Sequence, residues 1–305
     1  MILAAGLTPA WQQIMCFRRL LPGAVNRAEQ VHWCASGKVL NVGMALASLA
    51  LPSHTLAPMG GWSGAAIQAE FQARGLSATW THASTPTRVC TTILNEEDHV
   101  STELVENAAG LAKVELDAFA TAYMKLAGQA SAVVLTGSLP TGTPATYYYR
   151  LLERTPCPVV LDARGPELLA ALTARPRIVK PNRDELALTV GRALPDRSAV
   201  LAAMRELIER GAQAVVVTHG KDAVYVMEGR DMWELTPPTV TPIVNPIGCG
   251  DCLAAGLAWG MSRGDGLLDA VRLGLAAAAD NLRELLPARL SRDRVEESVR
   301  ASCAR

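Results

Sequence analysis

The run Val244-Asn245-Pro246-Ile247-Gly248-Cys249-Gly250-Asp251 opens a long apolar segment, and its residue types suit phosphoryl chemistry. Two glycines permit a sharp turn that leaves amide hydrogens free, and a helix over Cys249–Ser262 adds the positive end of its dipole. A turn of that kind receives a phosphate or a migrating phosphoryl group. Asp251 falls in the first helical turn, where its carboxylate can take a proton from an attacking hydroxyl. The plainer reading of the same residues is a tight turn with a helix cap. Cys249 and Cys252 form a C-x-x-C pair at this helix start, where thiols can become acidic. Zinc would need two more ligands, and the sequence offers no second close pair. His32 with Cys34, and Cys90 with His99, lack ligand spacing, so cysteines that fill space around the loop are the plainer account.

Other candidates lie far away in the chain. Ser36-Gly37-Lys38 precedes a helical pattern containing Asn41, which reads as an anion contact with a polar orienter. Arg88 sits in a strand pattern, either as a phosphate fork or as a surface charge. In Lys180-Pro181-Asn182-Arg183-Asp184-Glu185, a helix beginning at Asn182 would put Asn182 and Glu185 on one face. Oxygen ligands there suit magnesium, directly or through water. The alternative is a capping box, Asn182 with Glu185 three positions on.

These groups need a frame, and the hydrophobic pattern supplies one. Continuous apolar runs at Met1–Leu7, Ala132–Thr136, Pro158–Asp162, Arg177–Lys180 and Ala214–Thr218 alternate with helical patterns at Pro144–Glu153, Arg183–Thr189 and Arg197–Arg210. That alternation predicts a largely parallel sheet covered on both faces, with active groups beyond the carboxyl ends of the strands. Asp162, Asn182 and His219-Gly220 fall at such ends. Earlier in the chain, helices are predicted over Asn41–Leu51 and Ser63–Arg74, flanking a strand at His54–Pro58. Threonine-rich alternation at Thr79–Ala83, Thr87–Leu94 and Val100–Leu104 marks half-exposed strands, read together with Met15–Leu20 and Glu29–Cys34 as a small projecting sheet. Its exposed face calls for substrate or a second subunit. Gly266–Leu285 and Arg289–Arg300 read as a packed and a surface helix, and no linker or repeat divides the chain.

With 305 residues, half of them hydrophobic and only 19% charged, the chain can bury a large core. Its 29 basic and 29 acidic residues cancel, so nothing draws it generally to nucleic acid or anionic lipid. No apolar run reaches membrane-spanning length, the N-terminal run reads as a strand rather than a signal peptide, and seven scattered cysteines do not make a secreted disulfide framework. A soluble, cytoplasmic protein is expected, without nucleic-acid or membrane partners.

The motifs Gly137-Ser138-Leu139-Pro140, Lys180-Pro181-Asn182-x-x-Glu185-Leu186 and Gly248-x-Gly250-Asp251, in this order, resemble those of the ribokinase-like (PfkB-type) carbohydrate kinases. Leu7-Thr8-Pro9-Ala10, Gly23–Arg27, Ser36–Val42 and Thr87-Arg88 extend the resemblance over nearly the whole chain, most closely to the 1-phosphofructokinase and tagatose-6-phosphate kinase branch. It implies a three-layer α/β sandwich around a mostly parallel sheet, a single kinase domain over 1–305 whose lid comes from segments near 10–35 and 77–106, and ATP and Mg2+ as cofactors. Gly248, Cys249 and Gly250 would stabilise the transferring group and Asp251 would activate the acceptor hydroxyl. Gln12, Arg27, Gly37, Lys38, Asn41, Arg88 and Ser138 would meet a sugar phosphate such as fructose 1-phosphate, fructose 6-phosphate or tagatose 6-phosphate. Lys180, Asn182, Thr218, Gly220, Gly248, Gly250 and Asn281 would meet the nucleotide, and Asn182 and Glu185 would organise the metal. A homodimer through the lid is a further expectation.

Four positions depart from the pattern. Gln12 replaces a carboxylate that accepts from sugar hydroxyls, and its amide both accepts and donates. Ser36 and Val39 replace glycines, and Ala223 stands where a glycine commonly lies beside the nucleotide. The alternatives are a weakly active or inactive binder of nucleotide or metabolite, or a kinase of an unphosphorylated sugar.

Overall fold

The computed structural model describes residues 1–98 and 100–303. His99, and with it the Cys90–His99 pairing, lies outside the described residues, as do the last two positions of the expected 1–305 domain. The first half runs β1 (Ile2–Ala5), β2 (Ala10–Phe17), β3 (Gln30–Ser36), α1 (Lys38–Ser48), β4 (Ser53–Met59), α2 (Gly61–Ala73), β5 (Ala78–His82), β6 (Arg88–Asn95), β7 (Val100–Val105) and α3 (Lys113–Ala127). Next come β8 (Ala132–Thr136), α4 (Tyr147–Leu152), β9 (Val159–Asp162), α5 (Gly165–Ala171), β10 (Ile178–Val179), α6 (Arg183–Val190) and α7 (Arg197–Glu209). The chain closes with β11 (Ala214–Val217), β12 (Val224–Glu228), β13 (Asp231–Leu235), α8 (Cys249–Arg263), α9 (Leu267–Asn281) and α10 (Arg292–Cys303).

Nine strands form one sheet in the order β13-β12-β11-β10-β9-β8-β1-β4-β5, and only β12 runs against the others. Its central strands β1, β8, β9, β10 and β11 are buried on both faces, which is why they are apolar rather than alternating. Within β1, Ile2 and Ala4 join the core under α1, α2, α8 and α9, while Leu3 and Ala5 join the core under α3 to α7. Helices on both faces complete the three layers. Parallel order sends the carboxyl ends of β9, β10 and β11 to the same edge, so Asp162, Lys180, Asn182 and Thr218 gather there.

Two local contacts aim the site. Gly37 has φ +84°, and a Cβ there would lie 3.0 Å from both Thr8 O and Ala10 N. Only glycine permits so tight a turn, and it lets α1 start at Lys38, three residues before the predicted Asn41. Between α8 and α9, a Cβ on Gly256 would stand 2.5 Å from Gly274 Cα. The glycines therefore let the two helices touch through their backbones, which brings the start of α8 beside the end of α9.

The second sheet has the order β3-β2-β6-β7, with β2 parallel to β6 and antiparallel to β3. It follows directly from β1 and feeds directly into α1, as a lid must. The expected strand at Thr79–Ala83 does not belong to it. β5 instead pairs in parallel with β4 at the edge of the main sheet. Half-exposed alternation marks any edge strand and does not say which sheet it edges. α3, α5 and the β12–β13 hairpin went unread in the sequence. α4 is shorter than the predicted Pro144–Glu153, and α9 ends at Asn281 rather than Leu285. Among the described residues, no helix is long and apolar enough to cross a membrane.

Candidate active site

The carboxyl edge of the main sheet and the lid enclose a cleft of about 1080 Å³. That exceeds the usual volume for one small molecule and leaves room for two ligands. The Gly248–Gly250 turn lies on its wall. Gly248 is the N-cap of α8 with φ +86°, a conformation natural to glycine. Its carbonyl takes the amides of Asp251 at 3.0 Å and Cys252 at 2.9 Å, while Cys249 N makes only a long 3.4 Å contact to Pro246 O. The earlier first-turn amides are left spare at the positive end of a 15-residue helix. Lys180 Nζ lies where a Cβ on Gly250 would meet it at 3.5 Å. Backbone and ammonium thus present positive charge from one side.

Asp251 lines the same cleft and is 7% exposed. Its Oδ2 accepts from Asn41 Nδ2 at 2.7 Å. Burial, and next the negative charge of Asp162, push its pKa up to about 7, against Lys38, the Asn41 hydrogen bond and Lys180. A carboxylate poised near neutrality is suited to accept a proton in the working range.

Beneath it runs a line of alternating charge. Lys38 Nζ donates to Asp162 Oδ1 and Glu185 Oε1, each at 2.9 Å, and Lys180 Nζ stands 3.4 Å from Asp162 Oδ2. Burial opposes the charge on Asp162, but Lys180 and Lys38 outweigh it and hold its carboxyl below the usual range. Burial likewise opposes the charge on Lys38, and Asp162, Glu185 and Asp251 override it, raising its pKa. Lys38 was expected as an anion contact and is instead committed to two carboxylates. Asp162, which the sequence placed at a strand end without a role, is the fully buried centre of this network. The signal for it was one carboxylate closing the apolar strand Val159–Asp162.

Asn182 is the N-cap of α6, not its first residue. Its Oδ1 accepts from Glu185 N at 2.8 Å and its N–H donates to Glu185 Oε2 at 3.0 Å, so the capping-box alternative is realised. Glu185 still turns its other oxygen toward the cleft and Lys38. Among the described residues, no group of three or more His, Cys, Asp and Glu side chains could hold a metal. The expected ligands would therefore have to share a magnesium ion with water and nucleotide phosphates, which is its common mode of binding.

From the lid side, Gln12 and Arg88 reach the cleft. Gln12 Nε2 donates to Thr92 Oγ1 at 2.7 Å. The Arg88 guanidinium donates to the carbonyls of Thr8 at 3.0 Å, Glu106 at 3.1 Å and Pro9 at 3.4 Å. Most of its fork is thus spent in tying β6 to the turn after β1. Gly37, Ser138, Thr218 and Gly220 also line the cleft. So does Arg164, an exposed cation just beyond β9 that the sequence reading did not single out.

Two expected residues are not brought in. Arg27 is exposed in the loop between β2 and β3 and does not line the cleft. Asn281 is fully buried behind the glycine turn, where its Nδ2 donates to Ile247 O at 2.8 Å. It faces the loop from within, not the nucleotide space. The Cys249 thiol is raised to about 11, first by burial and then by Asp251, which removes the acidic thiol considered for the C-x-x-C pair.

Residues 10–287 match the model of the pfkB family carbohydrate kinases. Over 259 residues the chain is 32% identical to 1-phosphofructokinase of Xanthomonas campestris pv. campestris, covering 83% of this chain and 81% of that one. It is 28% identical over 264 residues to D-tagatose-1-phosphate kinase of Klebsiella oxytoca, covering 86% of each. Among solved structures, phosphofructokinase-2 from Escherichia coli in complex with fructose-6-phosphate superposes with a TM-score of 0.87 at 24% identity, covering 100% of both chains. Ribokinase of Arabidopsis thaliana complexed with ribose and ATP gives 0.76 at 17% identity, covering 98% of each. These structural likenesses establish a ribokinase-like fold.

Proposed function

Since this chain belongs to the pfkB family of carbohydrate kinases, we propose that it moves a phosphoryl group from ATP to a hydroxyl of a ketohexose phosphate, with a ketohexose 1-phosphate as its acceptor class. The observation that carries this reading is the Asp251 carboxylate beside the amide turn Gly248–Gly250 in one lidded cleft. The names of the curated relatives, 1-phosphofructokinase and D-tagatose-1-phosphate kinase, support the acceptor class.

In this mechanism Asp251 takes the proton of the acceptor hydroxyl as its oxygen attacks phosphorus and the bond to the ADP oxygen breaks. Asn41 holds the carboxylate, through Oδ2, in the orientation for that step. The spare amides of the turn, the α8 dipole and the Lys180 ammonium balance the charge on the transferring oxygens. The lid, carrying Gln12 and Arg88, keeps water from competing as acceptor. Glu185 and Asn182 would hold magnesium together with water and the nucleotide phosphates, and the ion would neutralise phosphate charge there. Of the residues that line the cleft, we assign Thr218, Gly220 and Lys180 to the nucleotide and Gly37, Gln12 and Ser138 to the acceptor.

We read the chain as one kinase domain. We also read the exposed lid side chains Val31, Trp33 and Leu104 as a face covered by a second copy. A monomeric mass at micromolar concentration would remove the dimer. The kinase reading is tested by ADP release in the presence of magnesium and ATP, across fructose 1-phosphate, tagatose 1-phosphate, fructose 6-phosphate and free fructose. Turnover should be fastest with a 1-phosphate, and equal rates without acceptor would sink the proposal.

A further inference from the structure

We propose that Asn281, at the end of α9, is a positioning residue for phosphoryl transfer, a role that rests on the kinase reading above. Its carboxamide is fully buried and reaches both ends of the amide turn. Nδ2 donates to Ile247 O at 2.8 Å and to Cys249 Sγ at 3.3 Å. Oδ1 accepts from Ala288 N at 2.7 Å and from Cys252 Sγ at 3.4 Å. One side chain therefore joins the residue before Gly248, the residue after it and the segment that follows α9.

Independent contacts fix the same junction. Gly248 packs so closely that a Cβ would stand 3.0 Å from Pro287 Cβ and 3.7 Å from Asn281 Oδ1. Asn245 ties the approach to the turn from the other side, with Nδ2 donating to Leu285 O at 2.7 Å and Oδ1 accepting from Ile247 N at 3.0 Å. The Gly248–Gly250 turn is thus held from behind by two neutral carboxamides, while Asn41 and Lys180 meet it from the cleft. Of the two carboxamides, only Asn281 bonds on both sides of Gly248. Because donor aim decides how much charge-balancing a backbone turn gives a reacting centre, loss of this strut should slow the transfer step and leave ground-state binding intact.

Two variants test it. Asn281→Leu keeps the bulk and loses every hydrogen bond. Asn281→Asp keeps the acceptor for Ala288 N but points an oxygen at Ile247 O. The assay measures kcat, KM for ATP and for the fastest acceptor, and the affinity and stoichiometry of ADP. It also measures how far aluminium fluoride with acceptor tightens ADP binding.

We expect kcat to fall roughly 30- to 100-fold, the size of effect that an ångström of misplacement produces. ADP stoichiometry stays at the wild-type value, KM and ADP affinity stay within about threefold, and the aluminium fluoride effect is lost. A kcat within about threefold of wild type would overturn the inference. So would ADP affinity falling in step with kcat, which would make Asn281 a nucleotide contact, or ADP stoichiometry falling in step, which would make the strut merely structural. If Asn281→Leu does not fold, Asn281→Asp decides by the same readings. An inactive wild type would remove the kinase reading as well, whereas an active wild type beside unaffected variants removes this inference alone.

Discussion

Asn41 donates to Asp251 Oδ2 at 2.7 Å, joining the first helix of the chain to a carboxylate 210 positions later. Oδ1 has no hydrogen-bond partner among the described residues, so in the proposed mechanism it is the oxygen that meets the acceptor hydroxyl. This division of labour within one carboxylate, one oxygen held and one free, makes Asp251 the most informative position to perturb.

Asp251→Asn should lower kcat by about a thousandfold, within the range expected for loss of a general base, and leave ADP affinity near wild type. Single-turnover measurement with preformed nucleotide complex checks it. Retained transfer would assign the proton to another group.

The same residue gives a stability signature. Its folded pKa, about 7, lies above the ordinary value of 3.8. Its contribution to stability is therefore present below pH 3.8 and is lost as pH rises through 7, because the folded state prefers the neutral acid. Asp251→Asn should accordingly raise the melting temperature most at pH 8, less at pH 5 and little below pH 3.8. In the wild type, kcat/KM should climb with unit slope as pH rises toward 7 and then level. A flat profile from pH 5.5 to 8 would contradict the poised carboxylate.

Lys38→Met removes one of the two cations facing Asp162. Breaking a buried pair on one side costs more than deleting both partners, and about 2 kcal/mol of stability is expected to go, below the fully buried range because Lys38 is partly exposed. Urea denaturation at pH 7 measures it. Adding Asp162→Asn to Lys38→Met should recover part of the loss, and strict additivity would show that the two groups are uncoupled.

Arg88→Ala should slow turnover with phosphorylated and free sugars alike, since its fork is occupied by the carbonyls of Thr8, Pro9 and Glu106. Arg164→Ala should instead raise KM several-fold for the phosphorylated acceptor alone, by losing a charge-assisted contact. Steady-state assays with fructose 1-phosphate and fructose separate the two, and exchanged behaviours would exchange the roles.

Gln12→Asp should alter the ratio of kcat/KM values between acceptors more than the KM for ATP. The amide of Gln12 is anchored on Thr92 and presents to the cleft an oxygen of a neutral group. Aspartate is one methylene shorter and loses the amide donor to Thr92, so thermal stability should also drop slightly. A change confined to ATP would place Gln12 on the nucleotide side.

Much of this was legible without coordinates because the strong signals were local. The apolar runs at Ala132 and Ala214 could only be strands covered on both faces, and Gly248, Gly250 and Asp251 carry turn, amides and carboxylate within four residues. What escaped depended on partners distant in the chain. Nothing near Lys38 reveals that Asp162 and Glu185, 124 and 147 positions away, claim its charge. Asn281 has the residue type of a nucleotide contact, and only its burial behind Ile247 and Cys249 turns it into a strut. Thr79–Ala83 shows the limit of periodicity, since the same alternation serves either sheet. α3 was missed although Phe119, Tyr123 and Ala127 recur every fourth residue on its buried face.

The last strand of the nine-stranded sheet ends at Leu235, while α8, with the proposed catalytic carboxylate, begins at Cys249. A nascent or prematurely terminated chain can thus contain every strand and still lack both the helix that seals one face of the core and the carboxylate proposed to deprotonate the sugar. If Asp251 acts as proposed, sealing and competence arrive with the same stretch of polypeptide, and quality control by folding becomes quality control of catalysis.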